Sequence, residues 1–185
     1  MLRFDATNAE CLVFTYKEGL LSGVAHDLKL GVTRFSVELD EERLSLTAEF
    51  DTRSLRVVSA MRDGQAMPSL LGASDRQKIE QNILDDVLDA EKFPQASFVS
   101  TEIKKLPEGE RFLVRGRLTL HGRTKELEVT TQLANGRQTA EVTLHQPDFG
   151  IRPYSAMLGT LRIRPNITVC LRLPFAAPAS PAAHP

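Results

Sequence analysis

The stretch FLVRGRLTLHGRTKELEVTTQL, Phe112 to Leu133, consists of two alternating arms that meet at His121-Gly122. In the first arm Phe112, Val114, Leu118 and Leu120 share one parity, opposite Leu113, Arg115, Arg117 and Thr119. In the second, Leu127, Val129, Thr131 and Leu133 oppose Glu126, Glu128, Thr130 and Gln132. Successive strand side chains point to opposite faces, so the pattern describes a β-hairpin with one apolar and one wet face. Repeated along the chain, it makes a curled antiparallel sheet whose function lies in what the apolar face encloses.

The pattern repeats on both sides. Upstream, CLVFTYK (11–17) reads as a strand, followed by a flexible EGLLSG segment. In HDLKLGV, His26, Leu28, Leu30 and Val32 share a parity; Phe35, Val37 and Leu39 do so in the next strand. After a polar DEER turn, Leu44, Leu46, Ala48 and Phe50 line one face of a fourth. Downstream of Pro94, ASFVSTEIKKL forms a strand, and Asn135-Gly136 marks a second hairpin turn. Ala140, Val142 and Leu144 then alternate with Glu141, Thr143 and His145. The last strand, LRIRPNITVCLRLPF, sets Leu161, Ile163, Ile167, Val169, Leu171 and Leu173 against Arg162, Arg164, Thr168, Cys170 and Arg172. Its Pro165 suits an edge or bulge. About nine strands result, and a long meander avoids exposed edges by closing into a barrel.

Residues 51–94 differ in kind. Between Ser54 and Gly72 the pattern is mixed and punctuated by Gly64, Pro68 and Gly72, an irregular excursion with room for a short helical turn. Ser74 then opens a helix, with Gln77 completing a capping box and Asp75 suiting the dipole. Ile79, Ile83 and Val87, with Leu84 and Leu88, make an apolar stripe that lays the helix across an opening or face of the sheet. Asp89 and Phe93-Pro94 end it, so the helical insertion covers about 54–92. Its polar side, with Asp75, Glu80, Asp85, Asp86 and Asp89, is acidic and unsuited to an anionic bilayer.

At 185 residues the chain is read as one domain over 1–174 with a disordered Pro/Ala tail over 175–185. Lys plus Arg number 23 against 24 Asp plus Glu, the basic residues are dispersed, and there is no Trp. Nucleic acid is therefore not an expected partner. The N-terminus carries Asp5 and Glu10 and does not read as a secretory signal, and no apolar run reaches membrane-helix length, so a cytoplasmic location is expected. Cys11 and Cys170 have no metal-type spacing. They lie in first and last strands that a closed sheet makes neighbours, which leaves their pairing open, although a reducing compartment disfavours a disulfide.

HDLKLGVTRFSVEL, LDAEKFPQASFVSTEI, LTLHGRTKELEV and DFGIRPYSAMLGTLRI occur in an order that resembles the YceI-like family, across roughly residues 3 to 173. The resemblance implies an extended, lipocalin-like antiparallel β-barrel whose apolar interior binds a long isoprenoid or fatty chain, with no catalytic activity. Members are commonly exported to the bacterial periplasm. It also implies that ligand contacts come from inward strand positions.

Parity separates the three histidines within the strand pattern. His26 shares the apolar face, His121 sits at a turn and His145 falls on the wet side, so a common metal shell is not expected. An imidazole at the inward start of a strand can meet a ligand head group or simply bond a nearby carbonyl. Asp148-Phe149-Gly150 has none of the strings that accompany the kinase magnesium motif; Gly150 instead permits a tight bend and Phe149 plugs the barrel end. Arg152 and Tyr154 in that loop serve as anchors or meet a polar ligand end.

The expected fold is all-β: an extended antiparallel lipocalin-like barrel with one inserted helical segment. The expected function is non-enzymatic binding of an apolar, chain-like molecule (an isoprenoid, a quinone or a fatty acyl chain), with no cofactor and a homodimer as a possible assembly. From the early strands the candidate contacts are His26, Leu28, Leu30, Phe35, Val37 and Leu46. The central hairpin adds Phe112, Val114, Leu118 and Val129. The later segments add Val142, Phe149, Tyr154, Ile163 and Val169. The alternative is a filled barrel that meets a partner protein through Arg162, Arg164 and Arg172. An enzyme using His26 with Asp27 is a weaker rival, because adjacent strand residues face opposite ways.

Overall fold

The computed structural model describes residues 1–18 and 26–175. The expected flexible EGLLSG loop beyond Glu18 and the expected tail beyond Phe175 lie outside the described residues.

In chain order, β1 (Leu2–Asp5) and β2 (Glu10–Thr15) form one bent stave, and β3 (Lys17–Glu18) leaves the wall. β4 (Asp27–Val32) and β5 (Phe35–Asp40) make a second bent stave, β6 (Ser45–Asp51) and β7 (Leu55–Arg62) a third. β8 (Gln65–Met67) hairpins onto β7. After helix α1 (Ala73–Asn82) come β9 (Gln95–Lys105), β10 (Phe112–Leu120), β11 (Arg123–Ala134) and β12 (Arg137–His145). Two short strands, β13 (Ser155–Ala156) and β14 (Leu161–Ile163), pair with each other and β14 with β3, before β15 (Asn166–Pro174) completes the wall.

Register closes the barrel. The first stave pairs with the second (Phe4 opposite Val37, Val13 opposite Leu30), and the second with the third (Phe35 opposite Phe50). The third meets β9 (Ala48 opposite Phe98), and β9 to β12 pair in succession. β12 then pairs with β15, whose Val169 lies opposite both Val142 and Val13 of the first stave. Every pairing is antiparallel, and because β1 and β2 share one stave the meander comes back to its start, with β8 left as the outer strand beside β7.

The second and third staves bend together at a hydrogen-bonded corner, the 3-10 turn Thr52–Ser54. Thr33 N–H donates to Ser54 O (3.2 Å) and Asp51 N–H to Arg34 O (3.0 Å). The wholly buried Ser54 hydroxyl accepts from Arg34 N–H (2.9 Å) and donates to Asp51 O (2.7 Å). Buried polar groups are thus paired where the ladder breaks.

Several expectations are corrected. The excursion after Ser54 is strand, not irregular chain: Leu55 and Val57 alternate inward, and Asp63-Gly64, both at positive φ, makes the β7–β8 hairpin turn. Helix α1 begins at Ala73, not Ser74, because Gly72 N–H already donates to the Asp75 carboxylate (3.3 Å). It ends in a π turn over Ile83–Val87, closed by Leu88 N–H to Ile83 O (2.9 Å). The final strand breaks at Arg164-Pro165, where Arg164 N–H donates out of the wall to Tyr16 O (2.7 Å). Residues 2–5, not expected as strand, supply β1. Cys11 and Cys170 are both buried and free: Cys11 is opposite Leu171 and Cys170 opposite Leu12, so the thiols face opposite sides of the wall.

Candidate functional site

The barrel is hollow. Its interior holds a cavity of about 1170 Å³ bounded mostly by aliphatic and aromatic side chains. A water's share of liquid volume is about 30 Å³ and a methylene is of similar size, so the space is on the order of tens of such groups. Close-packed cores leave few voids larger than one water; this volume is far larger than a packing defect.

The cavity is the inward parity of successive strands. Away from the helix it is walled by Val114, Leu118, Val142 and Val169. Helix α1 and its π turn cover one end: Ile79, Ile83, Leu84 and Leu88 pack on Leu28, Leu30, Leu55 and Val57. Two β-bulges tune the wall. In β9, Arg115 lies opposite Glu102 but Gly116 opposite Ser100, so Thr101 is extra and the inward set passes from Ala96 and Phe98 to Ile103 and Lys105. In β7, Lys29 lies opposite Ser59 and Leu30 opposite Val57, leaving Val58 extra.

Polar atoms gather at the ends. At the helix end the wall includes Thr15, His26, Asp75, Lys78, Asn82 and Tyr154, with Asn82 Nδ2 donating to Tyr154 Oη (3.2 Å). At the opposite end, among the turns after β5, β9 and β11, it includes Glu41, Lys105, Glu110, Thr131 and Gln138. There Lys105 Nζ meets Glu110 Oε1 at 2.9 Å, and Gln138 Nε2 donates to Glu110 O (3.0 Å) and to Thr131 Oγ1. Cys11 also faces the cavity; burial, with a smaller push from Cys170, raises its thiol to about 12, so it stays protonated and inert.

Of the residues expected to meet a ligand, His26, Leu28, Leu30 and Leu46 of the early strands line the cavity. So do Phe112, Val114, Leu118 and Val129 of the hairpin, and Val142, Tyr154, Ile163 and Val169. Phe35, Val37 and Phe149 do not. Phe35 and Val37 face inward but are sealed among Phe4, Cys11 and Ala48 in one core cluster. Phe149, in the 3-10 turn Gln146–Phe149 that Gly150 ends at φ 73°, packs with Leu118, Leu144 and Ile151.

Sequence reasoning missed Gln138, Thr131 and Asn82 as wall groups; for Gln138 the signal was its parity with Ala140, Val142 and Leu144. Ile103 was hidden by the bulge, and Leu70 and Leu71 by the unassigned excursion. The histidines are scattered: His121 packs at a tilt against Phe93 (centroids 4.1 Å apart) and His145 Nδ1 bonds Asn166 Oδ1 (2.7 Å). Among the described residues no three His, Cys, Asp or Glu side chains converge as a metal-holding group, and no helix is long and apolar enough to cross a membrane.

Comparison with known proteins agrees with this geometry. The model of the YceI-like domain matches residues 4–175. Burkholderia cenocepacia BcnA superposes with a TM-score of 0.63 at 16% identity, covering 93% of this chain and 99% of that one. A polyisoprenoid binding domain from Saccharophagus degradans, implicated in plant cell wall breakdown, gives 0.58 at 13% identity, covering 92% and 94%. The UPF0312 protein plu2095 of Photorhabdus laumondii is 48% identical over 48 residues, a match spanning 26% of this chain and 24% of that protein.

Proposed function

This chain belongs to the YceI-like family, and from that premise and its cavity we propose that it binds an apolar, chain-like small molecule inside the barrel and performs no chemistry on it. The isoprenoid, quinone and fatty acyl classes fit the shape. The observation that carries the reading is the volume of about 1170 Å³ inside the barrel, walled mostly by apolar side chains. Burial yields about 0.8 kcal/mol per methylene, so a chain of about 15 carbons gains roughly 12 kcal/mol before the costs of immobilising it. That is ample affinity without specific polar contacts.

The rival filled barrel leaves the cavity unexplained. Its proposed arginine surface is also dispersed: Arg172 pairs with Glu10 (3.3 Å), whereas Arg162, in β14, donates to Gly159 O (2.7 Å).

Native mass spectrometry of the purified protein, followed by solvent extraction, tests the proposal. A stoichiometric apolar adduct, or uptake of farnesol, palmitic acid or a prenylated quinone by stripped protein, is the expected result. It should be abolished by Leu118→Trp or Val169→Trp, which fill the cavity away from the helix. A folded protein that takes up none of these probes overturns it.

A further inference from the structure

The large apolar side chains left in water among the described residues are unevenly placed. Met1, Leu2, Leu44 and Leu133 stand at the end of the barrel away from the helix, whereas Val58, Val99 and Leu158 lie apart, on β7, on β9 and in the turn after β13. Leu2 (38% exposed) opposes Leu39 at the start of β1, Leu44 (50%) ends the turn after β5, and Leu133 (40%) sits near the tip of β11 opposite Gln138. Leu2 and Leu44 also wall the cavity, as do Pro174 and Phe175 where the chain leaves β15. Side chains that touch both water and the cavity mark its mouth, and the rim of that mouth is apolar.

Leu44 is held there against two preferences. Its φ of 48° is left-handed, a conformation that suits Gly or Asn and is unusual for a bulky residue. Half of its apolar surface also faces water, a cost that a partner covering the rim would remove.

The charges around the rim neutralise one another. Arg3 lies 3.8 Å from Glu38, Arg43 3.8 Å from Asp40, Lys105 2.9 Å from Glu110 and Arg111 3.9 Å from Glu108. Glu41 and Glu42 are exposed in the same turn as Arg43. A surface of interspersed cations and carboxylates is complementary to head groups that carry both a phosphate and an ammonium. The helix end is different, since Asp75, Asp85, Asp86 and Asp89 are exposed there and would be turned away from phosphates.

We propose that the mouth docks on a zwitterionic lipid bilayer: Leu2, Leu44 and Leu133 enter the acyl boundary, Arg3 and Arg43 lie at the level of the phosphates, and an apolar chain passes between bilayer and cavity without crossing water. The inference rests on the proposed binding of such a chain and adds where the chain is collected.

Sedimentation with vesicles of phosphatidylcholine and phosphatidylethanolamine tests it. The wild type should co-sediment, and about 0.5 M NaCl should change the bound fraction less than about twofold, because the attraction is mainly apolar. Leu44→Asn combined with Leu133→Ser should weaken vesicle binding at least about tenfold, whereas Leu158→Ser, the loss of a fully exposed leucine elsewhere, should leave it unchanged. Uptake of farnesol from solution by the double variant reports that barrel and cavity are intact. No binding by the wild type, binding that requires anionic lipid, or an equal loss in Leu158→Ser overturns the docking. So does a wild-type dimer that the double variant breaks and that ignores vesicles, which gives the rim to a second copy. In each of these cases farnesol uptake by the wild type leaves the carrier reading standing; a wild type that takes up no farnesol overturns that reading and the docking with it.

Discussion

The Val57 N–H donates to the Glu80 carboxylate at 2.7 Å, tying strand β7 to the helix that covers one end of the cavity. The bulge at Val58 is why this donor needs a side-chain partner, since the ladder to β4 breaks register beside it. Glu80→Ala should remove the tie and leave a part-buried N–H unmet, at about 1–3 kcal/mol, or a fall of roughly 2–10 °C in Tm. Glu80→Gln keeps an acceptor and should recover most of the loss. Thermal unfolding of the two variants checks this, and equal effects would show that the lost charge, including its contact with Arg56 at 3.9 Å, matters more than the hydrogen bond.

Gly116 sits opposite the β9 bulge with the Phe98 ring lying over it. A Cβ there would come within 2.3 Å of Phe98 Cζ and 2.5 Å of Val99 O. Gly116→Ala therefore has to move both a ring and a backbone carbonyl, at about 1–3 kcal/mol. Phe98 is part of the cavity wall, so its displacement should also weaken uptake of a fatty probe in protein that remains folded. Unchanged stability would mean that the bulge relaxes freely.

What the sequence made legible was the parity. Alternation placed Leu118, Val142 and Val169 on one inner face, and His121-Gly122 and Asn135-Gly136, all at positive φ, marked two hairpin turns. What it concealed depends on pairs of strands. A bulge such as Thr101 is defined only against its partner, and it reversed the inward set without leaving a glycine or proline as a sign. Phe35 and Val37 have the right parity yet are sealed by Phe4 and Cys11, residues from a stave whose first half was not expected. Asp63-Gly64 was a readable turn overlooked because the flanking strand mixes Ser59 and Ala60 into its buried set. The hollow interior was beyond parity altogether, since inward aliphatics describe filled and empty barrels alike.

Asp51 anchors the corner of the third stave. Burial by itself raises its carboxyl, but hydrogen bonds from Arg53 (Nε at 3.1 Å, N–H at 2.9 Å) and Arg34 (Nη2 at 2.8 Å) outweigh that and hold it below the ordinary carboxylate value. Because the folded value is depressed, the stabilisation is complete above the ordinary value of 3.8 and is lost as pH falls through the lower folded one. Both guanidiniums are largely exposed, so screening limits the contribution to about 1 kcal/mol. Asp51→Asn should lower stability by that amount at pH 7 and flatten its decline below pH ~4, measured by urea unfolding across pH. An unchanged acid limb would assign it to other carboxylates.

Cys11 and Cys170 report the two sides of the wall separately. Cys11 faces the cavity; its thiol, pushed up to about 12 mainly by burial, is protonated at pH 8. Cys170 faces outward, where burial raises its thiol against the lowering influence of Arg172. Both should react at least about tenfold more slowly with a maleimide than in urea, because the thiolate is the nucleophile. Filling the cavity with farnesol should slow Cys11 further and leave Cys170 unchanged, read by peptide-resolved mass spectrometry. Non-reducing digestion should yield no peptide linking the two. Equal protection of both thiols would mean that the ligand acts by tightening the whole barrel and not by covering the inner face.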